Sequence, residues 1–144
     1  MTMIDIGEKE ITSREAVVEG KIYLKASIIN DIKNNKIPKG NVLETAKVAG
    51  ILAAKKTSEI IPLCHPIPLD YVQLNFKLES DHITVTSTIR GQTKTGVEME
   101  GFVATATACI TIYDMCKFAD KEATISEIKL LRKTGGKTGD YLRK

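Results

Sequence analysis

Apolar residues recur at every second position over some stretches of the chain and at three- and four-residue steps over others, and the two periods divide it into elements. The first ten residues read as a short strand and turn. From Ile11 to Leu24, Ala16, Val18, Gly20, Ile22 and Leu24 recur at every second position, which predicts a long strand. Ser27 to Lys36 sets Ile28, Ile29 and Ile32 among Asn and Lys, a short amphipathic helix that ends before Pro38-Lys39-Gly40. Asn41 can cap a second helix, with Glu44 three residues on as its capping-box partner; Val42, Ala46, Ala49 and Ala53 carry it to about Ile61, where Pro62 stops it. Gly50 lies inside this helix and, with the alanines, forms a small-residue face suited to close packing on a sheet.

Two alternating runs follow. Asp70 to Glu79 places Val72, Leu74, Phe76 and Leu78 on one face, and His82 to Thr93 places Ile83, Val85, Ser87 and Ile89; Ser80-Asp81 is the hairpin turn between them. Val97 to about Ala119 has the longest helical pattern, through Phe102, Ala106, Cys109, Ile112, Met115 and Cys116. A last strand, Ile125 to Lys133, precedes Thr134-Gly135-Gly136-Lys137-Thr138-Gly139. Strand, helices, strand, strand, helix, strand is the order of an α+β, ferredoxin-like split βαβ arrangement, an antiparallel sheet with helices packed on one face. The expected organisation is a single domain over residues 1–144.

Composition narrows the function classes. No apolar run approaches the roughly 20 residues of a membrane span, and Met1 to Ile6 lacks a basic region ahead of an apolar core, so the expected compartment is the cytoplasm. A net charge of +3, with lysines spread along the chain, offers no block suited to nucleic acid; a small anionic ligand fits better. Three cysteines are few and odd in number, and Cys109 and Cys116 on one helix lie too far apart to bridge, so all three are expected reduced.

The candidate chemistry is dispersed. Asp114 and Lys117 are three apart on the long helix and share a face, either as a plain surface ion pair or, among Ile110, Ile112, Met115 and Cys116, as a partly buried functional pair. Glu98 and Glu100 open the same helix, where they meet its positive end or accept hydrogen bonds from a ligand rich in N–H donors, such as a guanine-like ring. Lys39 occupies a rigid turn ahead of a helix N-terminus, placed for a phosphate or a proton transfer, or is a solvated loop lysine. Cys64 and His65, on a turn between Pro62 and Pro66, have only His82 as a further histidine and no metal-ligand spacing. Gly136-Lys137-Thr138 fails as a P-loop because Leu131 stands five positions before Gly136; a looser anion clamp or a frayed tail remains. Glu100 and Asp114, fourteen residues apart, would lie about 21 Å apart on an unbroken helix, too far for one small-molecule pocket in one subunit. If both are functional, the site lies between subunits.

Taken together, Asp5-Ile6-Gly7, Thr12-Ser13-Arg14, Lys39-Gly40-Asn41-Val42-Leu43, Ala49-Gly50-Ile51, Ala54-Lys55-Lys56-Thr57, Pro62-Leu63-Cys64-His65-Pro66, Thr95-Gly96-Val97-Glu98-Met99-Glu100, Tyr113-Asp114-Met115-Cys116-Lys117 and Gly135 to Gly139 cover nearly the whole chain. In this order they resemble the molybdenum cofactor biosynthesis protein C family, the cyclic pyranopterin monophosphate synthases. The resemblance implies a lyase that converts 3′,8-cyclo-7,8-dihydro-GTP to cyclic pyranopterin monophosphate with release of diphosphate. It implies a ferredoxin-like subunit in a homohexamer built as a trimer of dimers, with sites at the dimer interface. No resident cofactor or metal is implied, and whether Mg²⁺ accompanies the triphosphate stays open.

By matching motif, Leu63, Cys64 and His65 line the substrate site, Met99 and Glu100 contact the purine-derived part, and Asp114 is catalytic, with Lys39, Glu98 and Lys117 completing the set. The chain departs from the family pattern at Asn41, where Asp is common, and at Gly101-Phe102, where Ala-Leu is usual. A non-catalytic nucleotide- or pterin-binding module of the same fold is the alternative, and it would not need Asp114 or Lys117; a purely structural oligomerisation domain is a third.

Overall fold

The computed structural model describes residues 1–144. Its elements are β1 (Thr12–Tyr23), α1 (Ala26–Lys33), α2 (Val42–Lys55), α3 (Thr57–Ile60), β2 (Tyr71–Leu78), β3 (His82–Thr93), α4 (Glu98–Cys116), β4 (Thr124–Thr134) and β5 (Tyr141–Leu142). The sheet order is β2-β3-β1-β4-β5 and each neighbouring pair is antiparallel. β3 therefore lies between β1 and β2, and β1 between β3 and β4, which is the split βαβ topology of the α+β, ferredoxin-like fold.

Alternation decides which face each strand buries. Ala16, Val18 and Ile22 of β1 and Ile83, Val85 and Ile89 of β3 are fully enclosed, and all but Val18 join Ala104, Ala108 and Ile112 of α4 in one continuous core. Full burial of the Val and Ile side chains among them contributes roughly 1.5–3 kcal/mol each. The opposite face is polar, with Glu15 bridging Arg90 and Arg132 at 2.6 Å each. Gly50 brings α2 close to both of its neighbours: a Cβ there would stand 2.6 Å from Leu74 Cδ2 of β2 and 3.1 Å from the Ala104 carbonyl of α4.

Four expectations need correction. Residues 1–6 form no strand; only the turn at Gly7-Glu8 is present, and the segment has no ladder partner. The helix expected from Asn41 to Ile61 is broken at Lys56, because the buried Thr57 turns its hydroxyl back to donate to the Ala54 carbonyl at 2.9 Å, satisfying one end of α2 and starting a single turn. The capping box is half made: Asn41 Oδ1 accepts from the Glu44 amide at 3.1 Å, but the Glu44 carboxylate pairs with Lys47 at 3.2 Å. The C-terminal segment is tied down, with Tyr141 and Leu142 pairing to Lys133 and Arg132, and Gly135 and Gly136 at positive φ lying against Arg14.

Candidate functional site

The covering helix α4 carries a cluster at each end. At its last turn, Lys117 Nζ lies 3.1 Å from Asp114 Oδ1, and Lys39 Nζ lies 3.1 Å from Oδ2 and donates to the Asp114 carbonyl at 2.9 Å. Each oxygen of one carboxylate thus meets a different lysine, one local on the helix and one 75 residues away. Lys39 reaches it because Pro38-Lys39-Gly40 turns sharply, with Gly40 at φ 116°, a conformation that disfavours a side chain.

The partial burial expected of this pair is not found. Asp114 is 55% exposed, since Ile112, Met115 and Cys116 turn inward while the carboxylate stays on the outer face and Ile110 is itself exposed. Its pKa is depressed by the Lys117 hydrogen bond first and by Lys39 next, so near neutrality it is a carboxylate. Lys39, Asp114, Lys117 and Lys121, with Tyr113 and Phe118, line an open depression of about 370 Å³. Three cations around one anion leave the patch net positive, suited to an anionic ligand.

At the first turn of α4, Glu98, Met99 and Glu100 meet Leu63, Cys64 and His65 in a cavity of about 330 Å³. Thr2, Ile4, Ile6, Lys9, Ile67, Thr95 and Gly96 complete its wall. His65 donates from Nε2 to the Ile4 carbonyl at 2.7 Å, because a carbonyl can only accept. Glu100 is only 4% exposed, and burial, against a lowering contact with its own backbone and with Glu98 adding repulsion, pushes its pKa up to about 7. Burial, with the charges of Glu100 and Glu98 behind it, also raises the Cys64 thiol, which argues against a thiolate nucleophile. Glu98 Oε2 is shut off from solvent, 3.1 Å from Lys133 Nζ, yet it makes no well-directed hydrogen bond.

A smaller cleft of about 160 Å³ shares Lys9, Thr95, Gly96 and Glu98 with this cavity and continues it past Arg14 and Lys133 to Gly135 and Thr138. Arg14 is buried and held by the carbonyls of Thr93 and Lys94 at 3.1 and 3.3 Å.

The sequence pairs Asp114 with Lys117 and assigns all nine candidates to one substrate site; the structure adds Lys39 to the Asp114–Lys117 pair and gathers Leu63, Cys64 and His65 with Glu98, Met99 and Glu100. It keeps the two sets apart at opposite ends of an unbroken helix. What was missed is the wall made by residues 2–9 and the basic continuation through Lys9, Arg14 and Lys133. The blocks Asp5-Ile6-Gly7 and Thr12-Ser13-Arg14 were the available signal, since neither is needed for an apolar face. No three His, Cys, Asp or Glu side chains gather as metal ligands, and no helix is long and apolar enough to cross a membrane.

These features define a class: a ferredoxin-like α+β domain whose covering helix presents a lysine-clasped carboxylate at one end and a carboxylate-lined cavity at the other. The MoaC family model matches residues 3–136. The chain is 49% identical over 144 residues to the cyclic pyranopterin monophosphate synthase of Aquifex aeolicus, all of this chain but 56% of that protein's length. It is 47% identical over 142 residues to the protein of the same name from Brevibacillus brevis, covering 98% of this chain and 89% of the relative. With the Heliobacterium modesticaldum protein, likewise a cyclic pyranopterin monophosphate synthase, identity is 48% over 143 residues, covering 98% and 90%. The chain belongs to the MoaC family.

Proposed function

We propose that the protein is a cyclic pyranopterin monophosphate synthase, a lyase of molybdenum cofactor biosynthesis that converts 3′,8-cyclo-7,8-dihydro-GTP to cyclic pyranopterin monophosphate and diphosphate. The observation that carries this reading is the Lys39–Asp114–Lys117 cluster. A carboxylate with a separate lysine on each oxygen is more than surface pairing requires, and it supplies one acceptor and two ammonium donors for proton transfers. Opening the dihydropurine aminal and closing the pterin ring both consist of such transfers.

In this proposal the purine-derived ring enters the cavity of Glu98, Met99 and Glu100, whose carboxylates suit the ring's N–H donors. Leu63, Cys64 and His65 form the opposite wall. The triphosphate follows the cleft along Lys9, Arg14 and Lys133, three cations that outnumber the two carboxylates, Glu15 and Glu98, in its lining. Forming the cyclic phosphate requires a sugar hydroxyl to attack the innermost phosphorus as the diphosphate departs, and these cations stabilise the charge that develops on it. Asp114 enters as a carboxylate and takes the first proton, with Lys117 and Lys39 returning protons to the ring nitrogens.

Because the two clusters are about 21 Å apart along α4, the proposed site is completed between subunits, α4's start in one facing α4's last turn in another. This favours a homo-oligomer; that it is a hexamer built as a trimer of dimers, acting in the cytoplasm, is proposed from the family resemblance alone. No resident cofactor is assigned, any Mg²⁺ arriving on the triphosphate.

The test is to incubate wild type and Asp114→Asn with the cyclic dihydro-GTP and follow diphosphate and pterin by mass spectrometry. Wild type should form both products, and Asp114→Asn should lose at least about 100-fold in kcat, the size expected for removing a general base. Binding without product from either protein would replace the synthase by a pterin-binding module, and a monomer in solution that still turned over would refute the shared site.

A further inference from the structure

We propose that Ser87, Thr105 and Gly101 form a latch between sheet and helix that positions the first turn of α4, and with it Glu100, in the cavity. This deepens, and rests on, the reading of that cavity as the purine-derived end of the site.

The need for a latch follows from how α4 begins. Its N-cap residue, Val97, makes no side-chain hydrogen bond, so the turn bearing Glu98, Met99 and Glu100 is not held by capping. One turn in, α4 instead presses on the sheet. A Cβ on Gly101 would stand 2.7 Å from Val18 Cγ2 of β1, about 1 Å inside the optimum for two carbons. Only glycine permits this separation against a valine.

The second component is polar. Ser87 stands on the inward face of β3 between Val85 and Ile89, fully buried, where an unbonded hydroxyl costs stability. Its Oγ lies 3.0 Å from the Gly101 carbonyl and 2.8 Å from Thr105 Oγ1, while Thr105 Oγ1 lies 3.4 Å from the Val18 carbonyl. Each hydroxyl has one proton. The two short contacts are satisfied together when Thr105 donates to Ser87 and Ser87 donates to Gly101, which fastens the residue next to Glu100 to the middle of the sheet. Ser87, Thr105 and Gly101 touch no cavity space, so they act only through the turn they hold.

The latch fixes how deeply Glu100 sits. Around it are Glu98 on its own helix, Cys64 and His65 from the turn after α3, and Lys9 from the N-terminal segment. Lifting the turn by about 1 Å lets water reach the carboxylate, and a misplacement of that size can cost up to about 100-fold in rate or binding.

The experiment compares wild type with Gly101→Ala, Ser87→Ala and the double variant Val18→Ala/Gly101→Ala. The Glu100 carboxyl is titrated by ¹³C NMR, and kcat and KM are measured for diphosphate release. Wild-type Glu100 should titrate near 7. Gly101→Ala and Ser87→Ala should each titrate about one pH unit lower as water enters, with KM up about tenfold and kcat within about twofold, the pattern of lost ground-state positioning. The double variant should regain the wild-type values, because removing the Val18 methyls restores the room that the new Cβ takes. If Gly101→Ala fails to fold, Ser87→Ala, which only removes an atom, carries the test. Titration and KM unmoved in a folded Ser87→Ala would overturn the latch. A wild type that forms no product while its Glu100 titration still shifts and recovers would leave the latch standing and remove the synthase reading.

Discussion

Replacing Glu100 by glutamine should make the protein more stable at high pH and leave it unchanged at low pH. Glu100 has an ordinary pKa of 4.5 that burial raises to about 7. The native state therefore keeps a proton that the unfolded chain releases between those values. Stability associated with this group is complete below pH 4.5, declines as pH rises, and is fully lost above about 7. At 1.36 kcal/mol per pH unit, the interval amounts to about 3 kcal/mol.

Glutamine has nearly the same shape and cannot ionise, so Glu100→Gln should match wild type at pH 4.5 and exceed it by up to about 3 kcal/mol at pH 8. For a chain of this length that is a rise of roughly 6–12 °C in Tm. Urea unfolding of both proteins from pH 4.5 to 8 gives the difference at each pH, in which all other titrations cancel. A difference that stays flat with pH would refute the argument that Glu100 is held in a site hostile to its charge. If Glu100 contacts substrate as proposed, the same substitution should weaken substrate binding while it stabilises the fold, the trade expected of a group kept for function.

Two further outcomes test the packing around the site. Gly50→Ala should lose roughly 1 kcal/mol, the crowding against Leu74 and the Ala104 carbonyl outweighing the gain in helix propensity; a higher Tm would show that α2 and α4 have room to spare. Asn41→Ala should cost about 1 kcal/mol in urea unfolding through the uncapped Glu44 amide, with Asn41→Asp retaining the cap; an unchanged midpoint for the alanine variant would mean that the bond contributes nothing net.

Much of the fold was legible because its strands turn one apolar face to α4. The recurrence of Ala16, Val18 and Ile22, and of Ile83, Val85 and Ile89, at every second position determines both strand identity and that face. The break at Lys56 was not legible, because it depends on which carbonyl the Thr57 hydroxyl chooses, a matter of a few tenths of an ångström. Nor was β5, two residues whose pairing with β4 is decided by the glycine turn packing on Arg14. The separation of Glu100 from Asp114 was legible by simple arithmetic on the length of α4, but which of the other candidates gathers at which end was not. The exposure of Asp114 was not, since the apolar residues flanking it in sequence all turn to the other side of the helix except Ile110.

The unbroken course of α4 from Glu98 to Cys116 has a bearing on how such chains can vary. Fourteen residues return a helix to within about 40° of its starting direction, so Glu100 and Asp114 leave the axis on nearly the same side. Inserting or deleting one residue between them would swing one cluster about 100° around the axis relative to the other, and would carry the buried stripe of Ala104, Ala108 and Ile112 off the sheet with it. A loop that carries no candidate residue, such as the hairpin turn between β2 and β3, can change length at little cost, whereas the number of residues in α4 cannot drift without turning one cluster away from the other.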